Sequence, residues 1–311
     1  MQVHPAAVPQ AVVVVGVVVA VAAVAAKRST NMTNTLPSLG LGIGWRQELA
    51  LLIAQRTDLG FVELTSENHP TQLPLPPAIQ ALRQRGVTLV PHGLALSLGS
   101  AQRPEARRVQ MLAEQAVRLQ SPLISEHIAF VRSGEEEAGH LLAVPRTRDM
   151  VRILSQNIRE VMAQLPVPLA LENIATLFEW PDAELAEHEF LREVLDGTGA
   201  MWLLDVENLY ANSINHRFDA AAYIDSVGAE RIAYCHMAGG THGTEAYHDT
   251  HAHPIPREVF ELLAYVVSKA PSLPGCMLER DGAYDDRAGI NAELDTIAAT
   301  MRPESAMRTQ A

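Results

Sequence analysis

The chain has 311 residues, 48% of them hydrophobic and 19% charged, with a formal net charge of -12. That is enough apolar material for one large α/β domain or two smaller ones, and the acidic balance argues against nucleic acid as a partner, because phosphate backbones reward clustered Lys and Arg. With only Cys235 and Cys276 present, a disulfide scaffold and a four-cysteine zinc site are excluded, and both cysteines are expected to be packing residues.

Ala11 to Ala26 is a run of Val, Ala and Gly. As a helix it would span about 24 Å against a hydrocarbon core of roughly 30 Å, which is short for a membrane span. No basic region precedes it, as a signal peptide would require, and Lys27 and Arg28 follow it. Residues 1–31 therefore read first as a start-site artefact with translation beginning at Met32, then as a weak anchor, and last as a signal. Either of the first two leaves the main body in the cytoplasm, and a membrane partner enters only if the leader is real.

From Leu39 onward short apolar runs alternate with helical segments. Leu39 to Gly44 reads as a strand and Gln47 to Gln55 as a helix. Phe61 to Thr65 is a second strand, closing on Ser66-Glu67-Asn68-His69, before the helix Pro77 to Arg85. Val87 to Pro91 is a third, ending in His92-Gly93, before the helix Arg107 to Gln120. Pro122 to Ser125 is a fourth, ending in Glu126-His127; a solvated loop with Glu135 to Glu137 leads to the helix Arg146 to Gln164. Val167 to Leu171 ends in Glu172-Asn173, and Met201 to Leu204 in Asp205 with Asn208 three residues on. Ile232 to Cys235 ends in His236, and Cys276 to Leu278 in Glu279-Arg280-Asp281. Residues 302–311 are expected to be a disordered tail.

Eight apolar strands alternating with helices predict a single (β/α)₈ TIM barrel over residues 32–301, with a doubly wound open sheet as the alternative. Polar placement favours the barrel. Strands two to eight each close on His, Glu, Asn or Asp, and in a barrel those ends converge on one mouth. A single strand-end acid can simply cap the following helix, but seven in a row with histidines among them is a poor fit to capping alone. Five of the twelve histidines, His236, His242, His248, His251 and His253, fall within twenty residues of one another together with Asp249. Imidazole and carboxylate donors together suit zinc, iron or manganese, and converging carboxylates would repel one another without a cation. His140 and His188 read as surface residues.

These motifs resemble a known family. The order His92, Glu126-His127, Glu172-Asn173, Asp205, His236, Asp249-x-His251, Glu279 is similar to the metal layout of xylose-isomerase-like barrels. The wording of Gly42-Ile43-Gly44-Trp45-Arg46, Ser66-Glu67-Asn68, Ser125-Glu126-His127, Leu204-Asp205-Val206-Glu207-Asn208 and Asn215-His216 resembles the multinuclear non-haem iron-dependent oxidative enzymes, over about Leu39 to Ile297. The resemblance implies two or three iron ions (Fe2+/Fe3+) at the mouth of the barrel, using dioxygen to rework cysteines of a ribosomally made precursor peptide that a partner protein delivers. It implies His92, Glu126, Asn173, Asp205, His236, Asp249, His251 and Glu279 as metal ligands, with Glu126 bridging. His127, Glu172 and Asn208 would be further ligands or would orient the others, with His127 and Glu172 in the catalytic machinery. One departure is Thr65, where relatives place a histidine; His69 is the candidate substitute. A zinc- or manganese-dependent hydrolase or isomerase and a non-catalytic metal-binding protein are the alternatives.

Overall fold

The computed structural model describes residues 36–302 apart from Glu135. The expected leader lies outside the described residues, as does all of the expected tail except Arg302. Eight parallel strands close into a barrel: β1 (Gly40–Gly44), β2 (Phe61–Thr65), β3 (Thr88–Gly93), β4 (Ile124–His127), β5 (Leu169–Glu172), β6 (Met201–Asp205), β7 (Ile232–Met237) and β8 (Gly275–Leu278). Each strand pairs with the next in sequence, and β1 closes on β8 through Gly40 to Ile43 against Gly275 to Leu278. The open-sheet alternative is thereby set aside.

The period-two alternation of a strand decides what faces where. Phe61, Val90, Leu123, Ala170, Leu203 and Met277 form one buried cluster inside the barrel. Their out-of-phase neighbours Val62, Leu89, Ile124, Leu171, Leu204 and Cys235 belong to a larger cluster beneath the surrounding helices. Cys235 and Cys276 both sit in that helix-facing layer, where burial pushes their thiols upward, so they pack and do not ligate.

The helices are α1 (Ala50–Gln55), α2 (Pro77–Gln84), α3 (Ala106–Leu119), α4 (Arg148–Met162), α5 (Glu187–Thr198), α6 (Val206–His216), α7 (Ala220–Val227), α8 (Arg257–Lys269) and α9 (Arg287–Thr300). Among the described residues no helix is long and apolar enough to cross a membrane.

Three sequence expectations need correction. Glu136–Leu142 is not a loop but a strand that pairs antiparallel with Phe130–Ser133, turning at Gly134 (φ 62); its exposed, acidic face gave no apolar signature to read. The stretch Asn212 to Arg217, which reads in the sequence as a loop beyond the sixth strand, is the end of α6, with His216 as its last residue. His188 is half-buried, edge-on to Tyr223 at 5.9 Å, so it is not a plain surface residue.

Candidate metal centre

The inward parity of β3, β4, β5, β6 and β8 carries one polar side chain each to the mouth. His92 continues the Val90 face of β3, His127 the Ser125 face of β4, Glu172 the Ala170 face of β5, Asp205 the Leu203 face of β6 and Glu279 the Met277 face of β8. They meet below a cavity of about 590 Å³ whose walls include Ala95, His140, Ile174 and Asp281. The hairpin thus contributes to the wall, and His140, although exposed, faces this cavity.

Four overlapping sets of donors lie within ligand reach: His92 with His127 and Glu172; Glu172 with Asp205, His236 and Glu279; Glu207 with Asp249 and His251; and His251 with Glu279 and Asp281. Glu172, Glu279 and His251 each belong to two sets. The distances are close: His92 Nε2 and His127 Nε2 stand 3.4 and 3.2 Å from Glu172 Oε2, and His236 Nδ1 stands 3.3 Å from Glu172 Oε1 and 3.1 Å from Glu279 Oε2.

The donors fit a cation better than they fit one another. Glu172 Oε2, Asp205 Oδ2, His236 Nδ1, Asp249 Oδ1, His251 Nε2 and both oxygens of Glu207 are buried without a hydrogen-bond partner. Such orphans are rare and costly in native proteins. His251 Nε2 and Asp249 Oδ1 are 2.6 Å apart yet not aligned as a hydrogen bond, so their lone pairs converge on common space. His251 itself holds a left-handed backbone (φ 50), with its carbonyl accepting from Asp281 N at 2.7 Å, a strain typical of functional positions.

Electrostatics gives the same reading. Burial, with the Glu172 and Asp249 charges, pushes Asp205 up to about 8. Burial, with Asp249 and Asp205 nearby, pushes Glu207 up to about 10. Against the opposing effect of burial, Glu172 and Glu126 raise His127 to about 9, while His127 and His236 hold Glu172 at about 2. Protons stand where positive charge is required, and metal ions would displace them.

Of the residues singled out in the sequence, His92, His127, Glu172, Asp205, His236, Asp249, His251 and Glu279 are brought together. Asp205 serves twice: Oδ1 caps α6 by accepting from Asn208 N at 2.7 Å, and Oδ2 faces the cluster. Asn208 keeps a buried, unpartnered Oδ1 beside the cavity. Asn173 is out of phase with Glu172 and spends both ends of its amide on the barrel: Nδ2 donates to the Asp205 carbonyl, and Oδ1 accepts from Trp202 Nε1 and Asp205 N.

Glu126 is likewise out of phase with Ser125 and His127. Its oxygens accept from Leu96 N at 3.0 Å and His127 N at 2.9 Å, and it joins none of the four sets. Gly93 makes room for it, since a Cβ there would lie 2.8 Å from Glu126 Oε2 and 3.2 Å from Leu112. His69 does not fill the place opposite Thr65; its Nδ1 faces the Thr65 carbonyl, and the ring lines a neighbouring cavity. His242, His248 and His253 stay outside the four sets.

Glu63, Glu207 and Asp281 were missed. Glu63 had a readable signal, an acid on the inward parity of an otherwise apolar strand. Glu207 sits inside a helix, where sequence alone reads it as an ordinary surface acid.

A family model described as RiPP precursor modification enzyme MbnB/TglH/ChrH matches residues 40–302. The chain belongs to this family. The MbnB/TglH/ChrH match spans every barrel strand and every donor named above. Similar proteins include a UPF0276 protein of Streptomyces avermitilis, 46% identical over 86% of this chain and 56% of that one. Another is a UPF0276 protein of Caulobacter vibrioides, 32% identical over 85% of this chain and 94% of that one. The chain thus spans little more than half the length of the Streptomyces relative. Among solved structures, the D-psicose 3-epimerase of Clostridium cellulolyticum aligns with a TM-score of 0.57 at 11% identity, covering 85% of this chain and 100% of that one. Endonuclease IV of Thermus thermophilus aligns at 0.54 and 18% identity, covering 84% and 99%. At such identities the likeness is one of fold, a xylose-isomerase-like TIM barrel.

Proposed function

We propose that this chain is an iron-dependent oxidative enzyme that uses dioxygen to modify cysteine side chains of a ribosomally made precursor peptide. The observation that carries the proposal is the sharing of Glu172 and Glu279 between donor sets, because shared carboxylates allow several cations to sit close together. The family description supplies the substrate class. Iron fits the mixed nitrogen and oxygen donors, and when bound it would supply the redox capacity for dioxygen and an affinity for thiolate.

The protein's own contribution is position and charge. His92, His127 and Glu172 would hold one ion, and Asp205, His236 and Glu279, with Glu172 shared, a second. Asp249, His251 and Glu207 are the set for a third. The peptide would approach through the cavity above the donors, and a peptide-delivering partner is part of the proposal. Among the described residues lining the cavity there is no lysine or arginine, and Arg46, against the lining residues Glu279 and Asp281, is spent on those two carboxylates, which disfavours the phosphodiester hydrolase alternative. Arg280 is buried and committed to Glu293 and the His253 carbonyl.

The test is metal analysis and oxygen uptake on protein loaded anaerobically with Fe2+. More than one iron per chain and oxygen consumption dependent on a Cys-containing peptide are expected. A single zinc with no thiol-dependent oxygen uptake would overturn the proposal.

His216 offers a second check. Its Nε2 lies 2.8 Å from Thr176 Oγ1 and 2.9 Å from the Thr176 carbonyl, pinning the loop whose Ile174 and Ala175 wall the cavity. His216→Ala is expected to keep its full metal content while peptide turnover falls about 10- to 100-fold, since a small misplacement of a substrate wall suffices for that loss. Loss of metal in parallel with turnover would show that His216 supports the centre itself.

A further inference from the structure

Two of the candidate ligand histidines, His92 and His236, come from different donor sets and from strands on different sides of the barrel, β3 and β7. Beneath the mouth they are joined by an unbroken buried chain. His236 Nε2 lies 3.0 Å from Glu63 Oε2, and the Tyr234 hydroxyl also contacts Glu63 Oε2. The same hydroxyl lies 2.7 Å from Ser125 Oγ, and Ser125 Oγ lies 2.8 Å from His92 Nδ1. Every member is buried, from 0% exposure for Tyr234, Ser125 and His236 to 4% for Glu63 and His92.

The direction of each proton follows from what each group can do. A carboxylate only accepts, so His236 Nε2 and the Tyr234 hydroxyl both donate to Glu63. Tyr234 has one proton and gives it to Glu63. Ser125 must therefore donate to the Tyr234 oxygen, and Ser125, its own proton spent, accepts from His92 Nδ1. Both imidazoles end in a fixed tautomer, with the proton facing the barrel floor. The lone pairs, on His236 Nδ1 and His92 Nε2, face Glu172 and the other donors at the mouth.

We infer that Glu63 is the positioning residue of the metal centre, a single buried acceptor that sets the ring orientation and tautomer of His236 directly and of His92 through Tyr234 and Ser125. The inference rests on the metal-centre reading above and adds to it a cause for the orientation of two ligands. A carboxylate behind a ligating histidine is a common device; here one serves two histidines in separate sets. Both branches meet at one oxygen, Oε2, so the amide oxygen of Glu63→Gln could still accept from both; Glu63→Leu removes the acceptor, and both branches lose their direction.

The test is Co2+ titration of metal-free protein followed by visible absorption, with thermal unfolding of each metal-free variant as the control for folding. Glu63→Leu is expected to weaken Co2+ binding about 10- to 100-fold, the range seen when the partner behind a ligand is lost. Tyr234→Phe removes only the branch to His92, so it is expected to weaken one class of bound Co2+ and leave the other unchanged. In zinc-loaded protein, nitrogen-15 spectra of the imidazoles should place the proton on Nδ1 of His92 and Nε2 of His236. A folded Glu63→Leu with wild-type Co2+ titration, or the opposite tautomers, would overturn the inference alone. Should Glu63→Leu fail to fold, Tyr234→Phe decides, and an unchanged titration there would overturn it. A wild-type protein that takes up no Co2+ would overturn the metal-centre reading as well.

Discussion

Glu172→Gln is expected to empty the centre. Its Oε2 faces His92 and His127 while its Oε1 faces His236, so one substitution removes a charged donor from two sets at once. The loss of affinity should exceed the roughly 10- to 100-fold attached to partners that merely orient a ligand, and peptide-dependent oxygen uptake should vanish. Glu126→Gln is the informative contrast. The family resemblance assigns the bridge to Glu126, yet its two oxygens are occupied by the backbone N–H groups of Leu96 and His127. An amide there keeps one of those bonds and turns an NH₂ toward the other donor, which costs about 1–3 kcal/mol of stability. We therefore expect Glu126→Gln to unfold at lower temperature while still taking up most of its metal. Metal content and melting temperature, measured on both variants side by side, separate the two roles. A Glu126→Gln protein that is stable but empty, beside a Glu172→Gln protein that keeps its metal, would return the bridge to Glu126.

The same contrast shows how far the sequence could be read. Strand count, order and polar ends were legible because a parallel barrel buries both faces of each strand, which leaves short apolar runs with their polar residues concentrated at one end. What was not extracted is the parity within each polar pair. In Glu126-His127 and Glu172-Asn173 adjacent residues point in opposite directions, and only the one in phase with the barrel interior reaches the mouth. Counting back from Ser125 or Ala170 would have chosen His127 and Glu172, and the same count along Phe61-Val62-Glu63 would have found Glu63. Glu207 and the hairpin strand Glu136–Leu142 were beyond such counting. The first gains its environment from Asp249 and His251, more than forty residues away, and the second packs no apolar face that a pattern could reveal.

Removing the metal should make the protein's stability fall as pH rises, and Glu207→Gln should reduce that fall. Unfolded, Asp and Glu titrate near 4 and His near 6.5. In the folded, metal-free chain burial lifts Asp205 to about 8 and Glu207 to about 10, and neighbouring carboxylates lift His127 to about 9 despite burial. All three groups then bind more protons folded than unfolded, so between about pH 6.5 and 9 each contribution to stability declines as pH increases. Glu172, held at about 2, is ionised throughout that window in both states and adds no slope. Bound cations displace these protons, so the melting-temperature gap between loaded and metal-free protein should widen from pH 6.5 to 9, and metal affinity should increase with it. Glu207 separates a ligand from a bystander. Gln matches the shape of the neutral acid and cannot ionise, so metal-free Glu207→Gln should lose less stability than the wild type as pH rises. If Glu207 holds an ion with Asp249 and His251, the loaded variant should also carry one metal fewer per chain. Thermal scans across this pH range with parallel metal analysis make the measurement. A Glu207→Gln protein with an unchanged pH slope and a full complement of metal would remove Glu207 from the centre and leave Asp249 and His251 to act with Glu279 and Asp281.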